Sequence, residues 1–246
     1  ELYGLLELPE EVIARLNAYE KSRKGAFRIS FQELTENREL VQTLDKVIAK
    51  EIGEDEDGIG ILWEELQIAL QTFEEYRRKG IPTDIFAETM KFCTRFLRDD
   101  YKKYQDYRFV WGWWFPRQLS MREFRIGALE YEYDEEGCIK VHIPSDADLS
   151  KESVQSSFSQ FELFCRTYYP AWEGLEMRCH SWLLSPALKN VLDEHSHILA
   201  FQELFEEEET DYESMAVMNW VFPGYDTVSE NLPEETSLQI NMKKYL

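Results

Sequence analysis

Phe124-Arg125-Ile126-Gly127-Ala128-Leu129-Glu130-Tyr131-Glu132-Tyr133 alternates apolar and polar side chains. A period of two puts one set on each side of a pleated strand, so the stretch predicts a half-buried strand. Asp134-Glu135-Glu136-Gly137 follows as a tight turn, and residues 138–143 return as a second strand, which together predict a β-hairpin. Downstream, residues 150–169 read as a long amphipathic helix with Val154, Phe158, Phe161, Phe164 and Cys165 inward. Residues 177–184 predict a further strand, stopped by Ser185-Pro186, with a short helix over 187–192. Residues 197–205 are apolar and fit either state, and residues 215–222 predict a last strand closed by Pro223-Gly224.

Upstream the period is helical. Pro9, Glu10 and Glu11 open a helix carrying Val12, Leu16 and Tyr19. Residues 36–52 place Leu40, Leu44, Val47 and Ile48 on one face, and residues 61–78 do the same with Leu62, Leu66, Ala69, Leu70 and Phe73. Lys79-Gly80-Ile81-Pro82 ends that helix, and a single helix is expected from Thr83 to about Tyr104. The aromatic run Phe109-Val110-Trp111-Gly112-Trp113-Trp114-Phe115 then reads as a covered joint, because rings that large are rarely left in water. A helical block followed by β-β-α-β-α-β predicts an α+β fold, with a helical domain over 1–115 and a second domain over 116–246.

Composition narrows the function. With 48 acidic and 27 basic residues the net charge is −21. Such a field repels phosphate backbones and anionic lipid surfaces, so neither nucleic acid nor membrane is the expected partner. No apolar run approaches bilayer length, and residues 1–8 lack the basic and apolar regions of a signal peptide. Cys93, Cys138, Cys165 and Cys179 form no metal-binding spacing; they read as buried thiols in a reducing cytoplasm, and no metal is expected.

Five segments, in order, resemble one family: Gly80-Ile81-Pro82 with Ile85-Phe86, Phe124-Arg125-Ile126-Gly127-Ala128-Leu129, Val141-His142-Ile143-Pro144, Cys179-His180-Ser181-Trp182-Leu183-Leu184-Ser185-Pro186, and residues 198–205. They resemble bacterial acyltransferase-domain proteins that pair a helical N-acyltransferase N-terminal domain with a GNAT-like C-terminal domain. The resemblance implies a GNAT-like mixed sheet flanked by helices, with acyl-CoA as donor. In such enzymes a base takes a proton from an amine, a backbone N–H at a splayed strand polarises the thioester, and a helix N-terminus holds the pyrophosphate. The chain departs from that pattern in one place: no Gln/Arg-x-x-Gly-x-Gly/Ala string opens a helix. The topological equivalent, Ser145-Asp146-Ala147-Asp148-Leu149-Ser150-Lys151, has no glycine and two aspartates.

All four histidines fall between 142 and 197. His142 and His180, on strands that the resemblance singles out, are the candidate catalytic bases, since imidazole titrates near neutrality. Arg125 and Arg117 are candidate anion-binding residues, and Trp182 and Ser181 candidate substrate contacts. His195-Ser196-His197 reads as a solvated turn. The function expected is transfer of an acyl group from acyl-CoA to an amine of a small molecule, with a cationic or amine acceptor favoured by the acidic field. A non-catalytic GNAT-like binding module is the alternative; a hydrolase is weaker, because no nucleophile elbow is present.

Overall fold

The computed structural model describes residues 1–23, 29–211, 214–222, 224–225 and 227–245. The helices of the first part are α1 (Leu2–Leu5), α2 (Glu10–Ser22), α3 (Phe31–Glu36), α4 (Arg38–Ile52), α5 (Ile59–Lys79), α6 (Thr83–Met90), α7 (Phe92–Tyr104) and α8 (Pro116–Leu119). Ser30 and Glu33 form a capping box at α3, which starts a separate helix just ahead of the one expected at 36–52. The single helix expected from Thr83 is interrupted at Lys91, the last residue of one turn and the cap of the next. Asp55 caps α5 by accepting from the Gly60 and Ile61 N–H groups at 3.0 and 2.8 Å.

The second part opens with β1 (Glu123–Ile126), β2 (Leu129–Asp134) and β3 (Cys138–His142), followed by α9 (Lys151–Tyr168) and β4 (Met177–Arg178). The sheet order is β1-β2-β3-β4, antiparallel except for the parallel β3–β4 pair. The stretch 124–133 is therefore not one strand but two, turned at Gly127-Ala128. Gly127 has φ +63°, and a Cβ there would lie 3.1 Å from Ser157 of α9. Ser157, itself fully buried, accepts from Leu129 N–H and bonds Tyr131 Oη at 2.8 Å. Gly127→Val is expected to destabilise the protein by about 1–3 kcal/mol, from left-handed strain plus the clash. Chemical denaturation measures this; an unchanged midpoint would mean that the turn does not need glycine.

Two further strand expectations fail. β4 covers only Met177–Arg178, and Trp182–Leu184 is a 3-10 turn. Residues 215–222 hold a helix instead, α11 (Ala216–Val221), after α10 (His197–Gln202) and before α12 (Ser237–Tyr245). The run is too short for its period to separate strand from buried helix. Its expected stop at Pro223 lies outside the described residues. The short helix expected over 187–192 is a 3-10 segment, Pro186–Asn190.

One face of the sheet is apolar. Phe124, Ile126, Leu129, Tyr131, Ile139 and Val141 share a core with Val154, Phe161, Phe164 and Cys165 of α9. Tyr131 stacks flat on Phe161, ring centroids 4.0 Å apart. That core runs without interruption from Leu6 through Leu66, Phe92 and Phe115 to Phe201. Leu188, Val191, Met218, Val221, Phe222, Leu232 and Met242 form a second, smaller cluster.

The opposite face carries Glu123 and Arg125 from β1, Glu130, Glu132 and Asp134 from β2, and Lys140 and His142 from β3. Alternation alone assigns such a face to water. Here α7 reaches it through Arg95 and α8 through Arg117 and Gln118, while Thr89 of α6 accepts the Arg125 N–H at the edge of β1; Glu123, Arg125, Glu130 and Asp134 are buried.

Candidate active site

The covered polar face brings charged groups together in a fixed register. Glu123 stands opposite Glu132 across the first hairpin, and Glu130 stands opposite His142 across the second. His142 Nε2 lies 2.9 Å from Glu132 Oε2, and Arg117 Nε donates to Glu132 Oε1 at 3.2 Å. Arg117 also lies over the Trp114 ring at 4.1 Å, while Trp114 meets the imidazole edge-on at 5.1 Å. Trp114 Nε1 and Gln118 Nε2 donate to the two oxygens of Glu123 at 3.1 and 2.8 Å. The short α8, started by Pro116, aims Arg117 and Gln118 at the sheet.

Electrostatics sort these groups. Burial alone lowers the His142 pKa, but Glu123 and Glu132 outweigh it and raise the imidazole above its usual 6.5. Burial likewise opposes the charge of Glu132, yet the His142 hydrogen bond and the nearby cations hold that carboxyl below its usual range. The pair is therefore a carboxylate accepting from Nε2–H, which leaves Nδ1 as the basic nitrogen. One atom each of Glu123, Glu132 and His142 lie within 4.8 Å of one another. Trp114, Gln118 and Arg117 already donate to the two carboxyls, and a guanidinium inside the group disfavours a second cation; the donor set suits proton exchange better than a metal ion.

Beside this pair the sheet opens. β3 and β4 pair only at Ile139↔Met177 and Lys140↔Arg178. The next ladder bonds would join the His180 N–H to the Val141 carbonyl and then the Ile143 N–H to the His180 carbonyl, and among the described residues neither is made. Beyond Arg178 the chain leaves the sheet for the turn at Trp182–Leu184.

The other sequence candidates are dispersed. His180 is exposed beyond the end of β4, and does not join His142 on a continuous strand. Ser181 Oγ accepts from Leu183 N–H at 3.2 Å, capping its own turn. Trp182 packs against the second cluster. Arg117 is engaged by Glu132 and Trp114, as above. Arg125 Nη1 donates to Asp146 at 3.0 Å and Nε to the Gly127 carbonyl at 2.9 Å. Of the two aspartates in the loop 145–151, Asp146 is paired with Arg125, with Arg95 at 3.8 Å, and Asp148 accepts from Ser150 and keeps its charge uncompensated by any ion pair among the described residues. Glu132, Glu123 and Gln118 were not singled out in the sequence, and Trp114 only as part of the aromatic joint; strand register brings the two glutamates to His142, and the segment around α8 brings Trp114 and Gln118.

Residues 1–121 match the model of the N-acyltransferase N-terminal domain, and residues 123–246 match that of the GNAT-like C-terminal domain. The chain belongs to this GNAT-like family. It is an acyltransferase-like protein. The GNAT-like chain is similar in fold to an acyltransferase crystallised in complex with decanoyl-CoA and teicoplanin, with 18% identity and TM-score 0.75 over 99% of this chain and 81% of that one. It is also similar to a mutant acyltransferase in complex with octanoyl-CoA, at 17% identity and TM-score 0.76 over 99% and 81%. A third, an acyltransferase in complex with CoA and 10C-teicoplanin, has 17% identity and TM-score 0.70 over 99% and 93%. No curated protein matches the chain. Among the described residues of the GNAT-like protein, no helix is long and apolar enough to cross a membrane.

Proposed function

We propose that this protein transfers an acyl group from acyl-CoA to an amine of a small molecule. The observation that carries the reading is the parting of β3 from β4 beside the His142–Glu132 pair. His142 Nδ1 takes a proton from the amine, whose nitrogen then attacks the thioester carbonyl. The Ile143 N–H, which no ladder bond engages, donates to the developing oxyanion. The new C–N bond forms, the C–S bond breaks, and the proton on His142 passes to the leaving thiolate. His180, on the opposite bank, and Ser181 and Trp182 beside it, line the acceptor's approach. Arg125 offers the donor's phosphates a guanidinium that Asp146 holds in this structure. Arg117 acts behind Glu132. Two functional halves, 1–115 and 116–246, would then meet at this face, the first bringing α7 and the second α8 and the sheet. The net charge of −21 suits a cationic acceptor, and four free cysteines suit a cytoplasmic setting.

Thermal denaturation with acetyl-CoA, octanoyl-CoA, decanoyl-CoA and free CoA tests the donor. A ligand at a hundredfold excess over its Kd stabilises the native state by about 2.7 kcal/mol, a melting shift of several degrees. No shift with any of the four at saturation would leave a non-catalytic module as the better reading.

A further inference from the structure

Glu123 has no task in the reaction just described, yet it is built into the site with care. Its side chain is fully buried, and each oxygen receives one N–H, from Gln118 and from Trp114. Directly opposite stands Glu132. Two carboxyls this close beneath a protein layer are not both ionised cheaply. Arg117 and the imidazole compensate Glu132. Glu123 is the harder of the two carboxyls to ionise, and it competes with the imidazole for a proton: burial pushes its pKa up to about 8, with His142 and Arg117 opposing the rise and Glu130 and Glu132 adding to it.

We propose that Glu123 is a positioning residue for His142, clamping Trp114 against the imidazole and placing a second carboxyl behind the base. The inference rests on His142 being the base, and it adds a residue through which that base is tuned. The charged groups around the imidazole are Glu123 from β1, Glu130 and Glu132 from β2, Lys140 from β3 and Arg117 from α8; Arg95 of α7 pairs with Glu130. Burial brings the ionisation of Glu123 into the range where His142 works. Its ionisation must therefore register at the imidazole as a second titration step.

Nitrogen-15 NMR of the four histidines in the full chain reads this without any assay of transfer, with the His142 signal assigned by its loss in H142Q. The wild-type imidazole is expected to show its main inflection and a second one near pH 8. E123Q, which keeps the shape of the side chain, is expected to abolish the second inflection and to lower the main midpoint by about one unit. W114F keeps an aromatic edge at His142 but removes an N–H that favours the ionised form of Glu123, so the second inflection should move to higher pH. A single inflection in wild type, or an E123Q midpoint equal to wild type, overturns the proposal and leaves Glu123 a packing residue. Failure of the acyl-transfer reading would appear separately, as no CoA release by wild type, with the histidine titration unaffected.

Discussion

Replacing His142 by glutamine is expected to slow CoA release from the acyl donor about 10²–10⁴-fold, the usual worth of a positioned general base. Donor affinity in the thermal-shift experiment should stay within a factor of two or so, because the imidazole handles the acceptor's proton and not the donor's phosphates. The pH profile gives the sharper test. His142 must be neutral to accept a proton, and Glu123 and Glu132 raise its pKa above the ordinary 6.5. The rate should therefore rise through a midpoint above 6.5. The linked stability runs the other way. A histidine with a raised folded pKa contributes stability that is complete below its unfolded value and is lost as pH rises through the folded value. The protein is thus at its most active on the side of the titration where this residue stabilises it least. A rate limb at or below 6.5, or an H142Q variant of undiminished rate, would remove His142 from the mechanism.

The second large effect concerns a group away from the sheet. Glu65 of α5 is fully buried, and among the described residues neither of its carboxyl oxygens has a hydrogen-bond partner. Asp45 Oδ1 of α4 is also buried and unpartnered. Both lie beneath the tryptophan-rich loop: a Cβ on Gly112 would come within 3.6 Å of Glu65 Oε2 and 3.7 Å of Asp45 Cβ. Burial, and then the charge of Asp45, pushes the Glu65 pKa well above its usual value. Glu65 therefore favours the fold as a neutral acid. That contribution is complete below the ordinary carboxylate pKa and is lost as pH rises through the folded one. Glu65→Met should stabilise the protein at pH 8 by about 1–3 kcal/mol and by clearly less at pH 4.5. Urea denaturation at the two pH values checks this. A variant less stable than wild type at pH 8 would show that the carboxylate has a favourable role in the fold.

What could be read from the sequence depended on how local each signal was. The two-residue alternation of Glu130-Tyr131-Glu132-Tyr133 is a property of a single strand, and it placed Tyr131 correctly against the core. The same alternation said nothing of what covers the other face. A second layer of protein and bulk water ask for the same polar residues, so the burial of Glu123 and Arg125 was invisible. Gly127 carried a turn signal that continuous alternation on both sides masked. His142 stood out through its segment, but its partner did not. Glu132 lies ten residues earlier and becomes its neighbour only when the hairpin sets the register. His180 was expected to continue a strand, but that strand ends at Arg178. The β-rich reading of 215–222 failed for lack of length.

The alternation of β2 has a consequence for how this protein can change over time. Tyr131 is committed to the oily layer under α9, and Glu130 and Glu132, its two neighbours, to the charged layer under α7 and α8. Inserting or deleting one residue there would exchange the two sets, putting carboxyls into the core and an aromatic ring into the proton-handling cluster. Both layers would fail at once, so the length of this strand is held by two independent constraints. Tolerance to insertion should sit at the exposed turn of Glu135, Glu136 and Gly137, beyond the end of β2, where neither layer is interrupted.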